Sequence, residues 1–382
     1  MRPRSLLIAS LAAVAFAVPP SAAAPEPPDL PLEPDRFLRG RVVALVGERE
    51  SDVIAEGQFT QIVRVRLAGP SGEQEIVAEF TDVATDPGRR LAAGDQVVIA
   101  VSEDVGRTVY YVVDRYRLPA IGFALGLFFG LAVLFSHRRG LASIIGLGIT
   151  ALVLARFIVP AIVGGSNPLV VSLVGPLFIA LTSIYLAHGL SLRTSVAVGS
   201  TIVTLVLAWG LAIAFVSLAS LFGMGSEESL YLQLAPIEQL NLRGLLLGGI
   251  ILGALGVLDD ITTAQAAAVD ELRKANPPLT VRDLYRRGLS IGNEHITSLV
   301  NTLFLAYAGA SLPLFILFTI YNNAPAWVTV NSEFVAEEVV RTLVGSTALV
   351  LAVPITTLAA AIVFSRRPPS AAAPAADHGH RR

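Results

Sequence analysis

The chain has 382 residues and a formal net charge of −2, and it is 53% hydrophobic with only 15% charged residues, against roughly 25% for a soluble domain. This balance offers no electrostatic footprint for nucleic acid, and the absence of cysteine excludes disulfides, thiolate metal sites and cysteine nucleophiles together. The shortage of charge is local, because the first third has the composition of a soluble domain and the rest does not. Lys274 is the only lysine, a preference for arginine that, with the abundant alanine, suggests a GC-rich bacterial genome.

A basic start (Arg2, Arg4), an apolar run from Leu6 to Val18 and small residues through Ala24 predict a signal peptide over 1–24, the run being shorter than the roughly 20 residues of a spanning helix. An uncleaved anchor is the alternative, and in either case the next domain is exported. Residues 25–35 are proline-rich and acidic, a tether. Period-two patterning then predicts strands at 41–46, 61–67, 74–80, 96–101 and 108–113, with turns at Pro70-Ser71-Gly72, Gly94-Asp95 and Gly106. The extracytoplasmic domain over 36–117 is therefore expected to be a small β-barrel of the OB or SH3-like kind.

From Leu118 the chain reads as an α-helical polytopic membrane domain, 118–365. Spans are expected near 118–135, 141–160, 168–188, 195–222, 244–264, 294–320 and 339–364, about seven in all, with a disordered tail over 366–382. Arg138, Arg139, Arg193, Arg273, Lys274, Arg282, Arg286, Arg287, Arg366 and Arg367 fall in alternate connections, and Glu227, Glu228, Glu238, Glu333, Glu337 and Glu338 in the others. The positive-inside rule makes the first set cytoplasmic. The expected location is then the bacterial plasma membrane, with the barrel outside and the carboxyl terminus inside. Thr280-Val281-Arg282-Asp283 matches a capping pattern. Val281, Leu284, Tyr285 and Leu289 share one face, opposite Arg282, Arg286 and Arg287. The segment reads either as a short interfacial helix against anionic lipid or as a packed loop.

Asp259 and Asp260 lie in the fifth span, where a carboxylate costs roughly 2.5–3.5 kcal/mol. The spacing of Gly249, Gly253, Gly256 and Asp260 places Asp260 on a glycine face open to a neighbouring helix. Asp259 is turned about 100° away and stacks with Thr262 and Thr263. In the sixth span Glu294, Ser298 and Asn301 share one stripe, and His295 and Thr302 the adjacent one. By helical rise Asn301 is about 10 Å deeper than Glu294, level with the aspartates. Asp259, Asp260, Thr263, Glu294, His295, Ser298, Asn301 and Thr302 are thus the candidate ion or substrate site. The bland alternative makes the aspartates boundary markers and Asn301 interhelical glue. Arg156 near the end of the second span is expected to snorkel, and Gly122, Gly126 and Gly130 to form a packing face.

Gly256-Val257-Leu258-Asp259-Asp260-Ile261-Thr262-Thr263-Ala264-Gln265 and Val300-Asn301-Thr302-Leu303-Phe304-Leu305-Ala306-Tyr307-Ala308-Gly309-Ala310 resemble the YibE/F family of bacterial multipass membrane proteins. The resemblance extends over about 36–365. It implies a multipass membrane protein, with transport suggested and no assigned substrate or residue role.

Three functional classes fit these features. The first is a secondary transporter or permease of a small ion or solute, with an aspartate as its coupling group. The second is an accessory or scaffold protein whose exported barrel docks a partner, the chain forming a homo-oligomer or joining another membrane subunit. The third, an intramembrane enzyme, is disfavoured because adjacent aspartates diverge by about 100° and share a proton poorly. No HExxH, P-loop or GxSxG pattern occurs. No catalytic residue, cofactor or resident metal is expected.

Overall fold

The computed structural model describes residues 36–51, 58–67, 74–83, 87–104, 107–234, 240–320 and 325–366. The expected leader, tether and carboxyl-terminal tail, the turns at Pro70-Ser71-Gly72 and Gly106, and Glu238 lie outside the described residues. The chain divides into two compact units, with the division between Ala132 and Val133.

In the first unit β1 (Arg36–Ser51), β2 (Gln58–Leu67), β3 (Gln74–Val83), β4 (Gln96–Asp104) and β5 (Arg107–Arg115) close into a barrel in the order β1-β2-β3-β5-β4. Among the described residues only the β3–β5 pair is parallel. This is the Greek-key order of the OB alternative. β1 is long because it serves two partners. Its start pairs with β4, from Arg36↔Val101 to Arg41↔Gln96, and the rest pairs with β2 as far as Ser51↔Gln58. Register shifts between Val42 and Ala44 and between Leu45 and Gly47 are the extra residues that bend a strand round a barrel corner. Gly40 stands where β1 passes from one partner to the other. A Cβ there would collide with Val65 and come within 2.9 Å of Ile99.

Alternation fills the barrel with Val63 and Val65, Ile76, Ala78 and Phe80, Val97 and Ile99, while Arg64, Arg66, Glu75 and Glu79 point out. A polar exception inside is Gln61, whose side-chain oxygen accepts the Leu91 amide at 2.8 Å. That bond ties the β3–β4 connection to the wall and satisfies a buried amide.

The helices are α1 (Leu118–Val153), α2 (Val159–Val163), α3 (Pro168–His188), α4 (Leu192–Leu218), α5 (Glu227–Leu234), α6 (Leu242–Ala275), α7 (Val281–Ala310), α8 (Leu312–Ile320), α9 (Ala326–Val330) and α10 (Glu333–Ser365). α1 contains a break at His137, with φ 50° and ψ −123°. A π-helical turn over Leu154–Ile158 carries α1 into α2. Pro160 supplies its cause: lacking an N–H, it cannot close the ordinary bond to Arg156, and the turn widens. Arg156 itself is exposed.

Among the described residues five helical stretches are long and apolar enough to cross a membrane: Leu118–Val163, Pro168–His188, Leu192–Leu218, Leu242–Ala275 and Glu333–Ser365. The expected count of about seven exceeds this at two places. The first stretch, of 46 residues, takes in both the first and second expected spans, with His137 between them. The expected sixth span falls on α7 and α8, where Asn293, Glu294, His295 and Asn301 lower the hydropathy and the helix stops at Ser311. Pro313 lies in the first turn of α8, where a missing N–H is harmless, so it begins a helix and kinks none. The segment bearing Arg282, Arg286 and Arg287 is likewise no separate interfacial helix. It is the opening of α7, begun by a complete capping box between Thr280 and Asp283. The Thr280 hydroxyl and amide hold the Asp283 carboxyl below the ordinary carboxylate range. Leu284 is buried with Leu279, Val269 and Phe364, and the three arginines stay exposed.

α6 is the centre of the helical unit, with α3, α4 and α10 packed around it and α7 across α6 and α10. Its neighbours approach at glycines: a Cβ on Gly244 would meet Pro168 Cβ at 2.6 Å and one on Gly248 would meet Ser172 Cβ at 3.0 Å. At one end of the unit the Arg273 guanidinium donates to the carbonyl of Pro277, to that of Leu279 (3.0 Å) and to that of Ser365 (3.0 Å). It joins the basic ends of α6 and α10. At the acidic start of α10, Glu333 Oε1 accepts the amides of Phe222 (2.6 Å), Gly223 (3.0 Å) and Met224 (3.3 Å), and Glu337 Oε1 accepts that of Gly225 (2.9 Å). The α4–α5 connection is thereby fixed to α10.

Candidate functional site

α6 begins at Asn241, whose side chain accepts the Gly244 amide, and runs with one face buried as far as Asp270. Three turns of that face carry polar groups. Asp259 is half-buried, and its Oδ1 is buried with no hydrogen-bond partner among the described residues. Thr262 is fully buried; its hydroxyl bonds back to Leu258 O (2.8 Å) and meets Thr201 Oγ1 of α4 at 2.7 Å. Gln265 is buried too, and its amide nitrogen donates to Gly288 O of α7 and to Thr357 Oγ1 of α10, both at 2.7 Å. Ser200 on α4 and Thr356 on α10 are buried with hydroxyls that have no partner among the described residues. α4, α6 and α10 therefore share a hydroxyl- and amide-bearing interior, with a carboxylate at its edge.

Buried polar groups are expected to be paired, so the unpaired oxygen of Asp259 stands out. Asp260, one residue on, is exposed. The expected glycine face does not bring a helix to it: a Cβ added at Gly249 or Gly256 would have nothing within 4 Å, and one at Gly253 would meet only the Tyr307 hydroxyl, at 3.1 Å. Thr263 is half-buried and its hydroxyl returns to Asp259 O (2.9 Å) and Asp260 O (3.1 Å).

The second half of the expected constellation lies elsewhere. α7 packs through Gly288, Gly292, Ile296, Leu299 and Tyr307. At about 100° per residue, Glu294 and Asn301 fall on the opposite side of the helix, and Ser298, His295 and Thr302 on its flank. All five are exposed, and the Thr302 hydroxyl bonds within its own helix, to Ser298 O. The depth match holds, since Gly253 stands level with Tyr307 and Gln265 level with Gly288 and Gly292. The rotation does not: within one chain these five residues and the aspartates are not brought together.

One helical turn along α6 from Asp259, Thr263 lines a cavity of about 280 Å³ together with Arg139, His188, Arg193, Ala264 and Ala267. It collects residues from the second half of α1, the end of α3, the first turn of α4 and α6. Among the described residues no group of three or more histidine, cysteine, aspartate or glutamate side chains is arranged to hold a metal.

Ser200, Thr201, Gln265, Thr356 and Thr357 were not candidates from sequence. Serine and threonine in a helix can satisfy themselves on a carbonyl one turn back, so they carry no signal in an apolar run. Gln265 did carry one, because an amide has no such local outlet and stands on the face of Leu258 and Thr262. Gln265→Leu is expected to leave Gly288 O and the Thr357 hydroxyl without their donor, costing about 1–3 kcal/mol. A lowered thermal midpoint of the detergent-solubilised protein checks it, with Gln265→Glu as the variant that keeps the shape.

A family model described as YibE/F-like protein matches residues 124–366. That range takes in most of α1 and every later helix and stops short of the barrel, so the family likeness is narrower than the 36–365 expected from sequence. No curated protein and no solved structure matches the chain.

Proposed function

Since the chain belongs to the YibE/F-like family and carries five membrane-length apolar helices, we propose that it is a secondary transporter whose proton- or cation-coupling group is Asp259. The observation carrying this reading is the buried, unpartnered carboxylate oxygen of Asp259 beside the hydroxyl-bearing α4–α6–α10 interior. A carboxylate at membrane depth persists where it binds or moves charge, and hydroxyl and amide oxygens are ligands a small cation accepts. Glu294, His295, Ser298, Asn301 and Thr302 have a separate role here, lining a contact with a second copy of the chain or another membrane subunit.

The two halves of Leu118–Val163 each cross the bilayer, and α7 with α8 makes the sixth of seven passes. The barrel is outside and the carboxyl terminus inside the bacterial plasma membrane. The alternation of basic and acidic connections supports this, as does the pairing of helix ends through Arg273 and Glu333.

The test is proton movement into proteoliposomes holding the wild type or the Asp259→Asn/Asp260→Asn variant, under an imposed potential and a panel of small ions. Flux in the wild type that vanishes in the folded variant is the expected result. Absence of flux in both would withdraw proton coupling.

A second reading is favoured by the barrel's lying in a compact unit separate from the later helices and outside the family match: an accessory protein whose barrel docks a partner. A chain lacking residues 36–115 separates the two, because retained flux makes the barrel dispensable for transport.

A further inference from the structure

Arg139, His188 and Arg193 come from three different helices, yet all line one cavity of about 280 Å³. Guanidinium groups remain charged at any relevant pH, and among the described residues neither arginine forms an ion pair. Arg193 is in the first turn of α4, where the helix dipole adds charge of the same sign. Among the described residues no acidic side chain lines the cavity; the rest of its wall is Thr263, Ala264 and Ala267. The Thr263 hydroxyl is committed to its own helix, so the donors facing the cavity are the two guanidiniums and the imidazole.

Positive-inside arginines ordinarily sit in water at helix ends, as Arg282 and Arg286 do here on a single helix; Arg139 and His188 are exposed as well and Arg193 is half-buried, but these three line one concavity. Convergence of cations from separate helices on a common concavity is instead how proteins hold oxyanions, with forked N–H donors matched to carboxylate or phosphate. We propose that this cavity binds a small oxyanion, a phosphate or carboxylate group, at the basic mouth of the helical unit. The proposal rests on the transporter reading in one respect: it makes the oxyanion the co-transported solute. Asp259 carries the carbonyl to which Thr263 of the cavity wall donates, so its carboxylate stands one helical turn from that wall. A bound anion and a proton on Asp259 therefore favour each other by charge, and such linkage is reciprocal.

The test uses the full-length protein in phosphatidylcholine nanodiscs, with radiolabelled inorganic phosphate and succinate as probes. At least one of them is expected to bind saturably. Arg139→Gln and Arg193→Gln should each weaken that binding about tenfold or more, the worth of one charge-assisted hydrogen bond. Arg156→Gln, an exposed arginine outside the cavity, should not. A parallel sample in nanodiscs containing phosphatidylglycerol identifies the source of the group: if anionic lipid displaces the free probe, and does so less in Arg193→Gln, the occupant is a lipid headgroup. Failure of both probes and of the lipid to bind overturns the proposal, as does binding unchanged in both arginine variants. Proton flux measured on the same preparations keeps the two conclusions apart. Flux without oxyanion binding removes this site alone, and binding without flux removes the transporter reading alone.

Discussion

Asp259→Asn alone is expected to reduce proton movement to the leak of empty vesicles, while Asp260→Asn leaves most of it. The two carboxylates are chain neighbours and point about 100° apart, so their surroundings differ although their depth does not. Asp260 is exposed, and Asp259 has one oxygen sealed from solvent without a hydrogen-bond donor. Stability gives the complementary readout. Burying a polar group without a partner costs about 1–3 kcal/mol by mutational measures, so exchanging this carboxyl for a neutral amide should leave the thermal midpoint unchanged or raise it. Flux lost together with stability would mark Asp259 as structural. A reversed result, with Asp260 the indispensable residue, would move the coupling site to the surface of α6 and so to a contact with another subunit.

Gly292→Val is expected to have the largest effect on stability of any single substitution in the helical unit. A Cβ at Gly292 would run into Val353 of α10 and come within 3.1 Å of the Gln265 side-chain oxygen. One turn earlier, a Cβ at Gly288 would lie 2.8 Å from both Thr357 Cγ2 and Val269 Cγ2. These glycines are the seam that lets α7 lie against α6 and α10. Overpacking costs about 1–3 kcal/mol, and pushing α7 away also strips Gln265 of its acceptor on Gly288, about another 1–3 kcal/mol. A drop in thermal midpoint with faster amide exchange in α7 is the measurement. Gly256→Ala serves as the contrast, since nothing lies within 4 Å of a Cβ there and no change is expected. Equal behaviour of the two variants would show that α7 is not held by this seam.

The same contrast explains what the sequence could and could not convey. Hydropathy and alternation located the five strands and the long helices, because burial on one face writes a period into the chain; the short α5 and α9 carry too few residues to do so. The polar wedge of α7 was legible as a wedge for that reason. Its direction was not: rotation about the helix axis is decided by where a neighbour can come close, and Gly288 and Gly292 make that choice from outside the expected span. Gly249, Gly253 and Gly256 formed an equally regular stripe, but spacing alone cannot say which stripe has a partner. Asp259 was distinguishable as a carboxylate in an apolar helix, whereas its difference from Asp260 depends on how α6 is rotated against helices that lie far away along the chain. The cationic cavity was hidden for a related reason. Arg139 and Arg193 each fit the ordinary sign rule for their own connection, His188 carries no such signal, and only the packing of four elements brings the three to one cavity.

The fastening of Phe222, Gly223 and Met224 onto Glu333 spans 111 residues from first amide to carboxylate. In a chain that is synthesised and threaded into a bilayer from its amino end, α4 and the turn after it arrive long before their acceptor exists. Until α10 is made, those amides have only water or lipid headgroups to bond. The last helix thus acts as the closing bolt of the assembly. A ribosome stalled before Glu333 would hold a helical unit whose α4–α5 turn still exchanges freely and is open to protease, and the same turn would become protected once Glu337 had emerged and inserted.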